Sequence, residues 1–259
     1  MAGGTWNAQN KVRPGVYINI ISEAQPLGTV GERGTMTMAL PLSWGPSKQI
    51  MTINAGEDTF ETLGYDITAP ELLLVREALK RARTLLLYRL NAGSYATATI
   101  GTTNQLTVTA RYTGTRGNDI TIVVQPNIDS PAKFDVRTLV DGREVDIQTV
   151  AIIEELKENA WVTFSGTGAP ETTAGTPLTG GTDGTVTNQD HTDYLAAAEL
   201  HDFQTMALAS DDTTLKSVYA AFVRRLREDE GKKIQVVMPN YPDADYEGVI
   251  SVKNGVVLA

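Results

Sequence analysis

A rhythm that starts, stops and resumes limits what this chain can become. Residues 71–82 (ELLLVREALKRA) set Leu72, Val75 and Leu79 on one face, with Leu73 and Leu74 broadening it, as in an amphipathic helix. Pro70 suits the first helical position, with Thr68 near the cap. Lys80, Arg81 and Arg83 are expected in the last turn, where cations complement the helix dipole. Thr84 to Leu90 (TLLLYRL) follows as an almost continuous apolar run with the length of a buried strand. Helix then buried strand is the signature of a layered α/β fold.

The rhythm breaks at Asn91. From there short alternating segments predict strands at Tyr95–Ile100, Leu106–Tyr112, Asp119–Val124, Phe134–Val140 and Glu144–Val150. Asp141-Gly142 between the last two is a two-residue hairpin signal. Ile152–Asn159 predicts a short helix and Trp161–Phe164 a further strand. Gly166–Thr185 (GTGAPETTAGTPLTGGTDGT) reads as a surface loop or linker.

The α/β rhythm then returns. Asp190–Leu200 predicts a helix and Gln204–Ala209 a strand. Ser210-Asp211-Asp212 caps a long helix through Asp229, with Leu215, Val218, Tyr219, Phe222, Val223 and Leu226 on one face and Gly231 ending it. Lys233–Met238 predicts a strand, and Gly248–Ala259 a hairpin around Asn254-Gly255. Nearer the start, Thr35–Leu40 is a strand stopped by Pro41, and Asp58–Tyr65 a short helix capped by Asp58. The expected fold is therefore α/β: a layered α/β core domain, an inserted β-rich α+β domain and an extended N-terminal arm. The expected boundaries are an arm at 1–24, core at 25–90, insert at 91–185 and core again at 186–259.

The arm is GGTWNAQNKVRPGVYINIISEAQP, residues 3–26. It has no basic start, long apolar run and small-residue cleavage site, so it is not an export signal. Val16-Tyr17-Ile18-Asn19-Ile20-Ile21 has strand propensity but no neighbour in sequence to pair with. Such a strand is satisfied by another chain's sheet edge, and head-to-tail addition that does not close builds a filament or helical lattice. The residues expected to make this inter-subunit contact are Trp6, Val12, Arg13, Pro14, Gly15, Val16, Tyr17, Ile18 and Ile20.

Composition narrows the chemistry. A formal net charge of -9 argues against a phosphate-neutralising surface, so nucleic acid is not an expected partner. No stretch approaches a membrane span, and no membrane partner is expected. Cysteine is absent, which removes disulfides, thiol catalysis and the usual structural zinc sites. His191 and His201 are expected as solvated residues at either end of a helix, beside capping acids, rather than as metal ligands. Gly28-x-x-Gly31-x-x-Gly34 lacks the spacing and the following helix of a phosphate loop. Ser165 lies in FSGTG, not in a nucleophile elbow. Asp211-Asp212 is explained by capping. Arg224, Arg225, Arg227, Lys232 and Lys233 form a basic patch interrupted by Glu228, Asp229 and Glu230, read first as a solvated face. Trp44 and Trp161 are expected in the core. No enzyme activity, cofactor or metal is expected.

An ordered set of motifs also carries a resemblance. The opening with its PGVY core, the Gly-rich loop and the strand after it, LLLYRLNAG at 85–93, YTGTRGNDI at 112–120, LTGGTDG at 178–184 and FVRRLREDEGKKIQVVMPN at 222–240 are similar to the tail sheath proteins of contractile-tailed, Myoviridae-like phages. The likeness is strongest to those of Gram-positive phages and defective prophages. It implies a structural virion component whose copies stack as rings around a tail tube, joined by arms threaded into neighbouring subunits. It implies contraction that drives the tube through a cell envelope without cofactor or nucleotide. Implied partners are further copies of the chain, the tail tube protein, and baseplate and tail terminator proteins. The implied location is the virion tail, after synthesis in the host bacterial cytoplasm. Family members usually continue into a C-terminal domain against the tube, which this chain is expected to lack. Two alternatives are a different virion component, such as a baseplate or tube adaptor, and an α/β ligand-binding or enzyme domain. The latter would require a pocket of convergent polar groups.

Overall fold

The structure is a computed structural model, and it describes residues 34–253. The first segments alternate apolar and polar side chains and form strands β1 (Thr35–Leu40) and β2 (Ile50–Asn54). Helix α1 (Phe60–Leu63) follows; Thr59 occupies its cap position, while the Asp58 carboxylate accepts from the Phe60 N–H at 2.9 Å. The predicted helix over 71–82 is shorter. Pro70–Leu72 forms a 3-10 turn capped by Ala69, and α2 covers only Leu73–Leu79. It stops because the Arg83 and Thr84 N–H groups both donate to the Gly34 carbonyl, turning the chain into strand β3 (Thr84–Arg89). Lys80 therefore caps α2, bonded to Glu77 at 2.6 Å, and Arg81 and Arg83 lie past its end.

The chain then builds β4 (Thr97–Ile100), β5 (Leu106–Ala110), β6 (Ile120–Pro126), β7 (Phe134–Val140), β8 (Arg143–Val150), β9 (Val162–Ser165) and β10 (Thr173–Pro177). Asp141 and Gly142 both have positive φ, as a type I′ hairpin turn requires. The predicted helix over 152–159 shrinks to a 3-10 turn at Ile153–Glu155, because Gln148 grips the backbone of Lys157 through two bonds and holds it extended. The stretch 166–185 is not a free loop. It contains β10, which pairs with β6, and the buried Leu178. Glu171 locks its approach by accepting from the backbone N–H groups of Thr103, Asn104 and Thr102, which hold its carboxyl below the usual range.

The last described part contains α3 (Asn188–Glu199), β11 (Thr205–Ala207), α4 (Thr213–Glu228), β12 (Gln235–Pro239) and β13 (Val249–Val252). β13 pairs in parallel with β12, and the Asn254-Gly255 turn of the predicted hairpin lies outside the described residues.

One six-stranded sheet runs β13-β12-β11-β1-β3-β2, parallel throughout except for β2. It draws strands from both sides of the 91–185 stretch. α3 and α4 pack on one face through Tyr194, Leu195, Tyr219, Phe222 and Val223. α2 packs on the other through Val75 and Ala78, over β1, β2 and β3. The intervening stretch makes two antiparallel sheets, β10-β6-β7-β8 and β4-β5-β9, around their own apolar core. This is an α/β fold carrying a β-rich part.

The two parts interlock at a stem. Gly93 lies so close to the returning chain that a Cβ there would sit 1.7 Å from the Thr182 carbonyl oxygen. Its backbone is not left-handed, so the requirement is for space alone. Replacing Gly93 by Ala is expected to lower stability by about 3 kcal/mol or more, because backbone rather than a side chain must move. Urea denaturation checks this; an unchanged midpoint would refute the packing described.

Candidate functional site

In open α/β sheets, ligands bind where the strand order reverses, beyond the carboxyl ends of the strands. Here that point lies between β1 and β11. The β1-to-β3 crossover carries α2 on one face, and the β11-to-β12 crossover carries α4 on the other.

The polar groups at this point satisfy one another. Thr187 and Asp190 form a capping box at the start of α3, with Asp190 Oδ2 accepting from the Thr187 N–H at 2.7 Å. The other Asp190 oxygen pairs with Lys48 Nζ. Asp212 caps α4 by accepting from the Leu215 N–H at 2.9 Å, and Asp211 pairs with the buried Lys216 at 3.4 Å. His191 is buried, not solvated as the sequence suggested, because α4 packs over it; its Nδ1 meets the Tyr219 hydroxyl at 2.8 Å. Thr37 donates to the Leu86 carbonyl at 3.0 Å, so its hydroxyl oxygen accepts from Tyr194 at 2.9 Å. Burial pushes the Tyr194 and Tyr219 hydroxyls far up, so both stay neutral. No group of three metal-ligating residues occurs among the described residues. The cluster fastens α3 and α4 to the sheet, and His201 lies apart from it, exposed.

A second polar constellation joins core to insert. Asn91 closes the stem: its Oδ1 accepts from the Leu42 N–H at 2.7 Å, and its Nδ2 donates to the carbonyls of Leu42 at 2.8 Å and Asp183 at 2.6 Å. Arg116 reaches from the insert into the core, donating through Nε to the Gly64 carbonyl at 2.8 Å. Its guanidinium lies 4.3 Å from the Tyr65 ring centroid and pairs with Asp119 at 3.0 Å and Asp141 at 2.6 Å. Gly64 has φ 84, and a Cβ there would strike Trp44 at 2.7 Å. Trp44 belongs to the core by sequence but is buried in the insert's apolar cluster, stacked on Trp161 at 5.0 Å. Such a pair contributes about 1 kcal/mol beyond its buried area. Arg89 is fully buried beside this junction; Nη1 donates to the Gly45 carbonyl at 2.7 Å, and Nε and Nη2 have no hydrogen-bond partner among the described residues.

The arm residues Trp6, Val12, Arg13, Pro14, Gly15, Val16, Tyr17, Ile18 and Ile20 all lie outside the described residues. Four of the five cations of the basic patch are ion-paired: Arg225 with Glu199 and Glu230, Arg227 with Glu247, Arg224 with Glu228, and Lys232 with Glu230. The fastening roles of Arg116 and Asn91 went unnoticed in the sequence. A lone charge between glycines and a lone amide after a strand carry no local signal of the distant backbone they bind.

His191 makes the α3–α4 packing sensitive to acid. Burial lowers its pKa, against a smaller opposing pull from Asp212. The unfolded chain therefore takes up the proton first. Stability should be full above about pH 6.5 and fall as pH drops below it, toward the lowered folded value. Urea titrations between about pH 7.5 and about pH 5.5 should show this loss, and His191→Gln should flatten it. An identical slope in the variant would assign the effect elsewhere.

Comparison with known proteins gives this architecture a family. The model for the tail sheath protein Gp18 domain III N-terminal region matches residues 33–90. The phage tail sheath protein β-sandwich domain matches 91–183, and the phage tail sheath protein central domain 184–259. The phage-like element PBSX protein XkdK of Bacillus subtilis is 43% identical along the whole chain, as is the uncharacterized protein YqbK of that organism. The chain spans 59% of the length of each. The solved sheath tail protein of Desulfitobacterium hafniense is 61% identical with a TM-score of 0.84, over 95% of this chain and 57% of that one. The sheath tail protein of Listeria innocua is 44% identical with a TM-score of 0.77, over 88% of this chain and 52% of that one. With three phage tail sheath domains adjoining one another from residue 33 to residue 259, the chain belongs to the phage tail sheath family.

Proposed function

We propose that this protein is a structural subunit of a contractile tail sheath, which polymerises around a tail tube and shortens to drive the tube through a target cell envelope. The observation that carries this reading is the run of three sheath-domain matches without a gap across residues 33–259. The phage-like element of the Bacillus subtilis relative supports a virion-tail location, after synthesis in the host bacterial cytoplasm. Sheath families are structural rather than enzymatic, and the polar groups where an α/β enzyme would bind its ligand are occupied with one another.

In this reading residues 1–24 are an extended arm, residues 25–90 and 186–259 make the core domain, and residues 91–185 are an inserted domain. The arm residues from Trp6 to Ile20 add a strand to a neighbouring copy, with Arg13-Pro14-Gly15 as a bend. The partners are further copies, the tail tube, and baseplate and tail terminator proteins. The energy of contraction comes from repacking bistable interfaces, with no cofactor consumed.

Mass spectrometry of contractile particles sedimented from induced source cells tests the reading. Peptides of this chain should be among the most abundant in the particle, beside those of a tube protein. Particles that contain none of it, or a trace beside a different major protein, would overturn it.

A further inference from the structure

The six-stranded sheet is covered unevenly, and its parallel registers locate the gap. One transverse row runs Leu87–Met38–Ala207–Val237–Ile250 across β3, β1, β11, β12 and β13. All five point to the face on which α2 lies. Leu87 and Met38, beneath α2, are buried; Ala207 and Val237 are half-buried; Ile250 is 42% exposed. The row above repeats the trend, with Pro239 half-buried and Val252 45% exposed. On the opposite face the same strands are sealed: Met206 and Val236 are fully buried, and Val249 packs against them under α3 and α4. Parallel sheets are built with both faces covered, usually by helices. Among the described residues, no helix lies over β11, β12 and β13 on the α2 side.

We propose that this face docks one amphipathic α-helix, supplied by the part of the sheath fold that the longer relatives carry and these residues do not span. Three strands at about 4.8 Å spacing present a strip roughly 10 Å wide, the width of one helix. Val237, Pro239, Ile250 and Val252 offer an aliphatic surface that matches an apolar helix face and offers no charge to select a polar ligand. Residues 16–21 are poor occupants, because their β-branched sequence favours a strand, and a strand lying flat on a sheet face leaves its own N–H and C=O groups unpaired. The relatives supply the length. About two fifths of each lies outside the match, since the chain spans 59% of the Bacillus subtilis proteins and 57% of the Desulfitobacterium hafniense one. The inference rests on the sheath reading for the source of the helix.

The test co-expresses this full chain with the unmatched portion of the Desulfitobacterium hafniense sheath tail protein. The two should co-purify, and amide exchange in β12 and β13 should slow at least tenfold on the complex. The paired substitution Ile250→Asp and Val252→Asp should weaken association at least tenfold. Ile147→Asp, an exposed change on β8 of the insert, should leave it unchanged. A photo-crosslinker at position 250 in the otherwise unaltered chain covers the case in which the paired variant fails to fold. It should join a helical segment of the added portion. Absence of a complex, a complex indifferent to the paired substitution, or crosslinks only to residues 1–33 or to a second copy would overturn the proposal. None of these depends on finding the chain in contractile particles, so this proposal and the sheath reading fail separately.

Discussion

Everything else in the structure hangs from the close pass of two chain segments at the stem of the insert. Residues 91–94 and 182–184 approach to backbone contact, with Gly93 against Thr182 and Gly184 against Ala92, and Asn91 ties both to the loop after β1. A stem alone would be a hinge. Here it is backed by two further fastenings: Trp44 buried among the insert's side chains, and Arg116 bonded to the carbonyl that ends α1. Together with the stem, these attachments restrict the rotational freedom a two-chain linker would leave. Arg116 also carries a specific cost of separation. Its charge is removed from water but matched by Asp119, Asp141 and the Tyr65 ring, so drawing the insert away would strand a buried guanidinium or force it to resolvate. The core and insert accordingly pack as one compact unit.

This bears on how a sheath subunit would work. A protein that transmits force between neighbours loses that force to any internal joint. Polar groups turned on one another tie separate segments together: Lys48 to Asp190 at the start of α3, His191 to Tyr219 between helices, and Glu171 to the 102–104 turn. The same residue types at a switch point would serve catalysis if they faced a cavity. Facing one another, they serve as fasteners.

Much of the fold was legible because it rests on local pattern. FDVRTLV alternates cleanly and becomes β7, Asp141-Gly142 can hardly be anything but a hairpin turn, and the face of α4 from Leu215 to Leu226 follows helical spacing. What failed to show was imposed from a distance. β10 has the Thr, Gly and Pro composition of a loop and becomes a strand only because β6 offers it an edge. α2 ends early because the Gly34 carbonyl captures two N–H groups, a contact no periodicity announces. His191 looked like a solvated residue in the first turns of a helix until α4 covered it. The fasteners between the six-stranded sheet and the β-rich part were invisible for the same reason. Asn91 was noticed only as the point where the texture of the chain changes, and Arg116 only as part of a family motif.

With the stem, Trp44 and Arg116 all engaged, insert and core should move as one rigid body. The absence of cysteine makes a direct measurement possible, because two introduced thiols would be the only ones present. Ile128 is 94% exposed at a turn of the insert, and Leu200 is 84% exposed at the end of α3 in the core. Spin labels on Ile128→Cys and Leu200→Cys, read by double electron-electron resonance, report the distance between the two parts in solution. Parts locked together give a single narrow distribution, no broader than label motion alone produces. A broad or bimodal distribution would show that the stem acts as a hinge and would contradict that locking.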